Sequence, residues 1–371
     1  EYTIDYKKSA WMMWEEKLPQ QTYRPPADTP FFKILVPTID TLRTQMVSKV
    51  YVSESQHLLL MGEVGVGKTM VAQSVLDDIN EQQSCMFVNF SAQTSSNSLQ
   101  DTIEGRLEKR TKGVFAPAGG KHLITFIDDL NMPQKSKFGF IPPLELLKLW
   151  VDNGFWYDRQ KCELKHVKDM QLMAAMAPPG GGRNAFSQRI LACFNVVNMT
   201  PPSESQLKRI YSTFLTNKLM DFDDEIKPMA DSLTQASIQI YSSICRELLP
   251  TPSKCHYLFN TRDLAKVVQG VMQATKQYYD NPESMIQLWV HETFRIYGDR
   301  MWDPADKEWL KSKSDECLNS LFGTSWNSLF DTGECPPFVS FMQTIDNPPY
   351  EAVTDEPALK AFLVEKLEDY A

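Results

Sequence analysis

The chain has 371 residues, 42% of them apolar and 23% charged, with 38 basic against 47 acidic side chains for a net charge of −9. That length suggests two or three domains, and the composition excludes disordered, collagen-like and low-complexity readings. The acidic balance argues against a nucleic-acid-coating surface, and no apolar run approaches the ~18 residues of a membrane-spanning helix.

A chain this long buries roughly 75% of its unfolded surface, so it needs no disulfide or metal staple. Its cysteines (Cys85, Cys162, Cys193, Cys245, Cys255, Cys317 and Cys335) form no CxxC pair and show no zinc spacing. They are expected as reduced thiols, most of them buried apolar fillers. The sequence begins at Glu1 with neither a Met nor a signal-peptide pattern, which reads as a piece of a longer polypeptide.

In chain order, residues 1–50 mix aromatics and prolines (Trp11, Trp14, Tyr23, Pro25, Pro26) and read as an incoming connector, with a helix start at Thr38. From residue 57, short apolar runs alternate with helical stretches. Strands are expected at 57–61, 85–90, 123–127, 171–176 and 194–198. Near-continuous apolar strands separated by helices predict an α/β fold with a five-stranded parallel sheet covered on both faces. The helix after the first strand carries Val71, Val75, Leu76 and Ile79 on one side. After Pro201-Pro202 the strand signal stops. Ser203 and Gln206 form a capping box, followed by helical stripes at Leu207, Ile210, Tyr211, Phe214 and Leu215, then at Leu264, Val267, Val268, Val271 and Met272. The expected divisions are 1–50 connector, 51–202 large α/β subdomain, 203–325 small all-helical subdomain and 326–371 outgoing connector, with one amphipathic stretch near Leu359–Leu367.

The chemistry concentrates at two places. Gly62-Glu63-Val64-Gly65-Val66-Gly67-Lys68-Thr69, continuing into Met70, is a complete P-loop between a predicted strand and a predicted helix. Its glycines let backbone N–H groups wrap phosphates, and the helix N-terminus adds positive potential. Lys68 would reach the β- and γ-phosphates, and the Thr69 hydroxyl would bind Mg2+. Leu123–Ile127 followed by Asp128 and Asp129 is the second: a buried strand ending in carboxylates. There Asp128 would hold the Mg2+ shell, and Asp129 would polarise the attacking water as general base. Pro178-Pro179-Gly180-Gly181-Gly182-Arg183-Asn184 follows the fourth strand and is either a flexible turn or a loop at the phosphate edge. Arg189, just before the fifth strand, is either a salt-bridged surface group or a residue pointing toward a neighbour.

The runs Phe126–Pro133, Pro142–Leu147, Trp156–Arg159, Ala174–Asn184, Val36–Arg43, Phe259–Leu264 and His291–Arg295 together resemble the third AAA+ module (AAA3) of axonemal dynein heavy chains, over nearly the whole chain. The resemblance implies an AAA+ large subdomain followed by a helical lid, with ATP or ADP and Mg2+ in the cleft between them. It places Val36 and Pro37 against the adenine and Gly62–Thr69 against the phosphates. Arg262 becomes the sensor II arginine, alternatively one half of a helix-start salt bridge with Asp263 or a neighbour, with Arg295 a weaker case of the same kind. Arg189 becomes an arginine finger supplied in trans to the preceding module. The implied partners are neighbouring AAA+ modules of the same heavy chain, other axonemal dynein subunits, and microtubules through the parent chain's stalk. The implied location is the axoneme of a cilium or flagellum; neither nucleic acid nor membrane is an expected partner.

Two positions depart from the hydrolytic pattern. Asp129 stands where such modules usually carry Glu, shorter by ~1.5 Å against a catalytic reach of roughly 2.6–3.2 Å. Ala177 stands at the sensor I position, usually Asn. The expectation is tight nucleotide binding with slow or absent turnover, in a module that regulates the motor through its nucleotide state. The alternatives are a structural spacer with permanently bound ADP, or an independent AAA+ remodelling ATPase.

Overall fold

The apolar runs of the first half pair as a parallel sheet, its three central strands buried on both faces and its two edge strands half exposed. The computed structural model describes residues 2–5, 9–18, 30–185, 187–330, 333–342, 348–353 and 355–370, so Tyr23, Pro25 and Pro26 lie outside the described residues. The sheet strands are β1 (Leu58–Gly62), β2 (Gln83–Asn89), β3 (His122–Asp128), β4 (Met170–Met176) and β5 (Asn195–Met199). They run parallel in the order β5-β1-β4-β3-β2. Alternation divides their side chains between two cores. Leu58, Leu60, Ile124, Phe126, Met173 and Ala175 share one core with Val71, Val75 and Leu76 of helix α2 (Lys68–Leu76) and Val52 of α1 (Ile39–Ser53). Leu59, Ile127, Leu172, Ala174 and Met176 share the other with Leu99 and Ile103 of α3 (Ser96–Glu104) and Leu144, Leu147 and Trp150 of α4 (Pro142–Asn153).

Strand order decides where a ligand can sit. β4 lies between β1 and β3 although it follows them in the chain, so loops leaving the carboxyl ends of these three strands become neighbours. In open α/β sheets that edge is where ligands bind.

The structure divides into two compact units, Glu1–Pro19 with Pro37–Pro202, and Gln20–Val36 with Ser203–Ala371. The first unit takes in α1, whose start is fixed by Thr38, the side chain of which accepts from the Thr41 N–H. It also contains a hairpin, Tyr2–Asp5 with Ala10–Met13, and a sheet that the periodicity did not predict, of Leu107–Thr111, Val114–Pro117, Leu164–Val167 and Phe155–Tyr157. These strands are only three to five residues long, and Leu107–Thr111 is mostly charged, so no alternation stands out. Trp156 anchors them: fully buried, it donates to Glu104 Oε1 at 2.9 Å. Lys165 pairs with Glu104 and with Asp158, each at 2.8 Å, and its hydrogen bond holds the Asp158 carboxyl well below the usual carboxylate range.

The second unit is mainly helical, with α6 (Glu204–Leu219), α7 (Met229–Glu247), α8 (Thr261–Val271), α9 (Pro282–Ile296) and α10 (Pro304–Cys317) and a short strand pair of Phe338–Val339 with Glu351–Ala352; in the first unit a short α5 (Gln188–Leu191) precedes β5. The Ser203–Gln206 capping box forms, and Leu207, Tyr211, Phe214, Leu215, Leu264, Val267, Val268 and Val271 are core. Two sequence expectations need correction here. Only Cys317 is buried, while Cys85, Cys162 and Cys255 are exposed. Cys85 lies on the edge strand β2, where one face of the pleat is open, and the other two sit in turns. The stretch around Leu359–Leu367 does form a helix, Glu356–Tyr370, but it buries none of its residues, and Leu363, Val364 and Leu367 stay exposed.

Candidate functional site

β1 ends at Gly62, beside the end of β5. A Cβ on Gly62 would lie 3.3 Å from the Met199 carbonyl carbon, closer still to its oxygen, and 3.1 Å from Val66 Cγ2, so only glycine fits. Gly65 and Gly67 both take φ of +89°, which L side chains disfavour, and turn the chain into α2. Lys68 opens that helix largely buried, and its ammonium donates to the carbonyls of Gly62 at 2.9 Å and Glu63 at 2.7 Å. Glu63 is exposed; Val64, Val66, Thr69 and Met70 are half-buried along the same turn.

β3 delivers the carboxylates two strands away. Thr69 Oγ1 donates to Asp128 Oδ2 at 2.8 Å, joining the P-loop helix to the end of β3. A hydroxyl and a carboxylate in contact are a hard-oxygen donor pair, which suits Mg2+. Among the described residues no group of three or more His, Cys, Asp or Glu gathers as a metal cage. Asp129 turns the chain with φ of +51°, and its N–H donates to Asp128 Oδ1 at 3.0 Å. Left-handed backbone is uncommon outside glycine, though Asp tolerates it better than most. The turn sends the two neighbouring carboxylates to different partners.

Asp129's partner is Arg183, whose Nη2 lies 3.3 Å from Asp129 Oδ1. The arginine is held by a tight hairpin: Gly180 N–H donates to Arg183 O at 3.1 Å, Arg183 N–H donates back at 3.0 Å, and Gly181 and Gly182 supply φ of +56° and +86°. Positive φ at both central positions is the type I′ geometry. This loop is zipped to the one after β3. Leu130 N–H donates to Ala175 O at 3.0 Å, Asn131 Nδ2 to Ala177 O at 2.8 Å, Asn184 N–H to Asn131 O at 2.9 Å and Asn184 Nδ2 to Pro133 O at 2.8 Å. Of the two sequence alternatives for 178–184, the geometry is that of a built loop at the strand ends. Ala177 is buried and apolar, and Asn131, fully buried, meets it from the β3 side.

The arrangement brings Gly62–Thr69, Asp128 and Asp129 together and adds two residues that sequence reasoning did not assign, Arg183 and Asn131. The available signal was the pair of turn motifs, Asp-Asp-Leu-Asn and Gly-Gly-Gly-Arg-Asn, 54 residues apart at Asp129 and Arg183. Arg189 is not among them: it is 60% exposed on α5 and paired with Glu145 of α4. Pro37 begins the first unit's main segment, while Val36 is buried in the core of the second unit. Arg262 is exposed in the first turn of α8; the adjacent Asp263 binds Arg300 at 3.0 Å and caps the helix by accepting from Asn260 N–H at 3.1 Å. Arg295 is held by the fully buried Glu292 at 2.7 Å.

Sheet, P-loop, paired carboxylates and trailing helices define a P-loop AAA+ nucleotide-binding module with a lid. Comparison with known proteins agrees. Residues 23–202 match the family described as P-loop containing dynein motor region, and residues 211–307 match the dynein heavy chain ATPase lid domain. The chain is 64% identical over 375 residues to the dynein-1-beta heavy chain of the flagellar inner arm I1 complex of Chlamydomonas reinhardtii. It is 46% identical over 371 residues to dynein axonemal heavy chain 2 of Mus musculus and of Homo sapiens. Each alignment takes in 100% of this chain and 8% of the relative's length. The chain belongs to the axonemal dynein heavy-chain family, as one AAA+ motor-region module with its lid.

Proposed function

We propose that this module binds ATP or ADP with Mg2+ at the P-loop, occupies the third position in a dynein motor ring, and regulates the motor while turning over slowly or not at all. The observation that carries this reading is the contrast within one site. Its binding parts are intact, with Lys68 buried on the P-loop and Thr69 in contact with Asp128. Its hydrolytic parts are weak: a short Asp129 already engaged by Arg183, and an apolar Ala177 where a water-orienting amide is usual. The P-loop N–H groups and Lys68 would neutralise phosphate charge, and Thr69 and Asp128 would hold the cation. Bound Mg2+ supplies charge compensation between the β- and γ-phosphates.

Arg262 is proposed to read the γ-phosphate from the lid, Val36 and Pro37 to receive the adenine, and Arg189 to serve the preceding module once released from Glu145. The proposed setting is the parent heavy chain in the axoneme, with neighbouring modules and other dynein subunits as partners and microtubules reached through its stalk. ATP hydrolysis by the whole motor belongs to this proposal too. Switching such a ring requires a few kcal/mol of differential nucleotide binding between its states. The test is Lys68→Ala in the intact heavy chain, with slower microtubule-stimulated ATPase and gliding expected; unchanged values would remove the regulatory role. A second reading, a spacer with permanently bound ADP, draws on the same weak hydrolytic pair and predicts no nucleotide exchange on the time scale of the motor cycle.

A further inference from the structure

The site's least expected contact is the ion pair between its candidate base and a loop that lies outside the P-loop pattern. Hydrolysis forms a bond from a water oxygen to the γ-phosphorus and breaks the bond from that phosphorus to the β-γ bridging oxygen. The water's proton passes to a base. For Asp129 to serve, a carboxylate oxygen has to accept from that water; Oδ1 accepts from Arg183 Nη2 at 3.3 Å, which restrains the direction in which the partly exposed carboxylate can turn Oδ2 toward it. Arg183 is only 21% exposed, and its Nε is buried with no hydrogen-bond partner among the described residues. Its backbone is fixed by the Gly180–Arg183 hairpin and by the neighbouring Asn184–Pro133 and Asn184–Asn131 bonds. Asp129 is fixed in turn by its left-handed backbone and the bond from its N–H to Asp128. The contact therefore joins two restrained groups, one on each side of the loop pair.

We propose that Arg183 is a positioning residue that restrains the Asp129 carboxylate and thereby sets the slow turnover of this site. The inference rests on the nucleotide-binding reading above. It predicts that loss of the guanidinium raises hydrolysis through Asp129 without altering how tightly nucleotide is held.

The experiment uses the intact heavy chain, loaded with labelled ATP, stripped of free nucleotide, and quenched over time to measure the retained ATP-to-ADP ratio. Subtracting the same signal from Lys68→Ala protein assigns it to this pocket. Arg183→Gln is expected to convert retained ATP roughly two- to five-fold faster than wild type, the range that a partly exposed ion pair exerts. Retained nucleotide per chain should equal that of wild type. Arg183→Lys, which keeps the pair, should restore the wild-type rate, and Arg183→Gln combined with Asp129→Asn should lose the acceleration. An unchanged or slower rate in Arg183→Gln would overturn the proposal, as would a double variant as fast as the single one. Loss of retained nucleotide in both Arg183→Gln and Arg183→Met would also overturn it, because Arg183 would then be part of the pocket's framework. If wild type retains no Lys68-dependent nucleotide, the binding reading itself fails and this inference falls with it. That outcome is distinct from the others because it appears before any Arg183 variant is compared.

Discussion

Gly62→Ala is a severe test of the site's construction, because it adds one methyl where two strand ends meet. The new Cβ would lie 3.3 Å from the Met199 carbonyl carbon and 3.1 Å from Val66 Cγ2, and closer than either to the Met199 oxygen. Comfortable carbon–carbon contact begins at roughly 3.5 Å. Met199 is register partner to Gly62 in the β5–β1 pairing, so no flexible side-chain end can move aside; the backbone must open. Overpacking of this kind costs about 1–3 kcal/mol. The displacement also reaches the ligand site, since the Gly62 carbonyl accepts from Lys68 Nζ at 2.9 Å. The penalty should therefore divide between stability and nucleotide affinity, with the two losses summing to roughly 5- to 150-fold in equilibrium constant. The assays are denaturant unfolding and titration with a fluorescent ADP. Gly67→Ala is the control: its Cβ would meet nothing within 4 Å among the described residues, so its cost comes from φ of +89°, about 1–2 kcal/mol. Gly67→Asn should cost less than Gly67→Ala, while Gly62→Asn should cost more than Gly62→Ala. Wild-type stability and affinity in Gly62→Ala would refute the steric reasoning.

Three further outcomes are expected. Thr69→Val removes the hydroxyl that donates to Asp128 at 2.8 Å. It should weaken nucleotide binding in Mg2+ by about tenfold, the scale of a hydrogen bond to a charged group, yet barely change it in EDTA; equal losses in both titrations would contradict the assigned cation role. Gly270→Ala would place a Cβ 2.5 Å from Cγ of the fully buried Glu292, and closer still to its carboxyl, pushing it off Arg295 and off Tyr350, which donates to it at 2.6 Å. Disrupting such a buried charge cluster should destabilise the second unit by about 3 kcal/mol or more, and a denaturation shift below about 1 kcal/mol would show that the helices part easily. His57 is half-buried, its Nδ1 accepts from Leu172 N–H at 3.1 Å, and desolvation pushes its pKa below the ordinary 6.5. Between those two values the unfolded chain binds the proton and the folded one does not. Stability should therefore fall as pH drops below about 6.5, and His57→Gln should flatten part of that slope in melts between about pH 7.5 and 5.5.

Much of the fold was readable because its signals are local. Five apolar runs became five parallel strands, and Ser203–Gln206 and Thr38 cap helices where the side-chain pattern placed them. The P-loop was readable for the same reason: its glycines, Lys68 and Thr69 are consecutive, and a strand and a helix flank them. The second sheet was not readable, because Leu107–Thr111 carries charge on most positions, the other strands are only three or four residues long, and the sheet is anchored by a bond from its own Trp156 to Glu104 of α3. Nor was cysteine burial, which for Cys85 depends on its strand lying at the edge of the sheet and for Cys162 and Cys255 on their lying outside any helix or strand.

The sequence by itself determined the kind of module, because consecutive residues carry both the strand–loop–helix context and the phosphate chemistry. Only the tertiary structure decided what becomes of Asp129. Its partner Arg183 lies 54 residues away, and the two meet because β4 inserts between β1 and β3 and brings its outgoing loop beside the end of β3. Sheet order is a global property of packing, which no local periodicity encodes, and here it sets the neighbours of the group on which hydrolysis would depend.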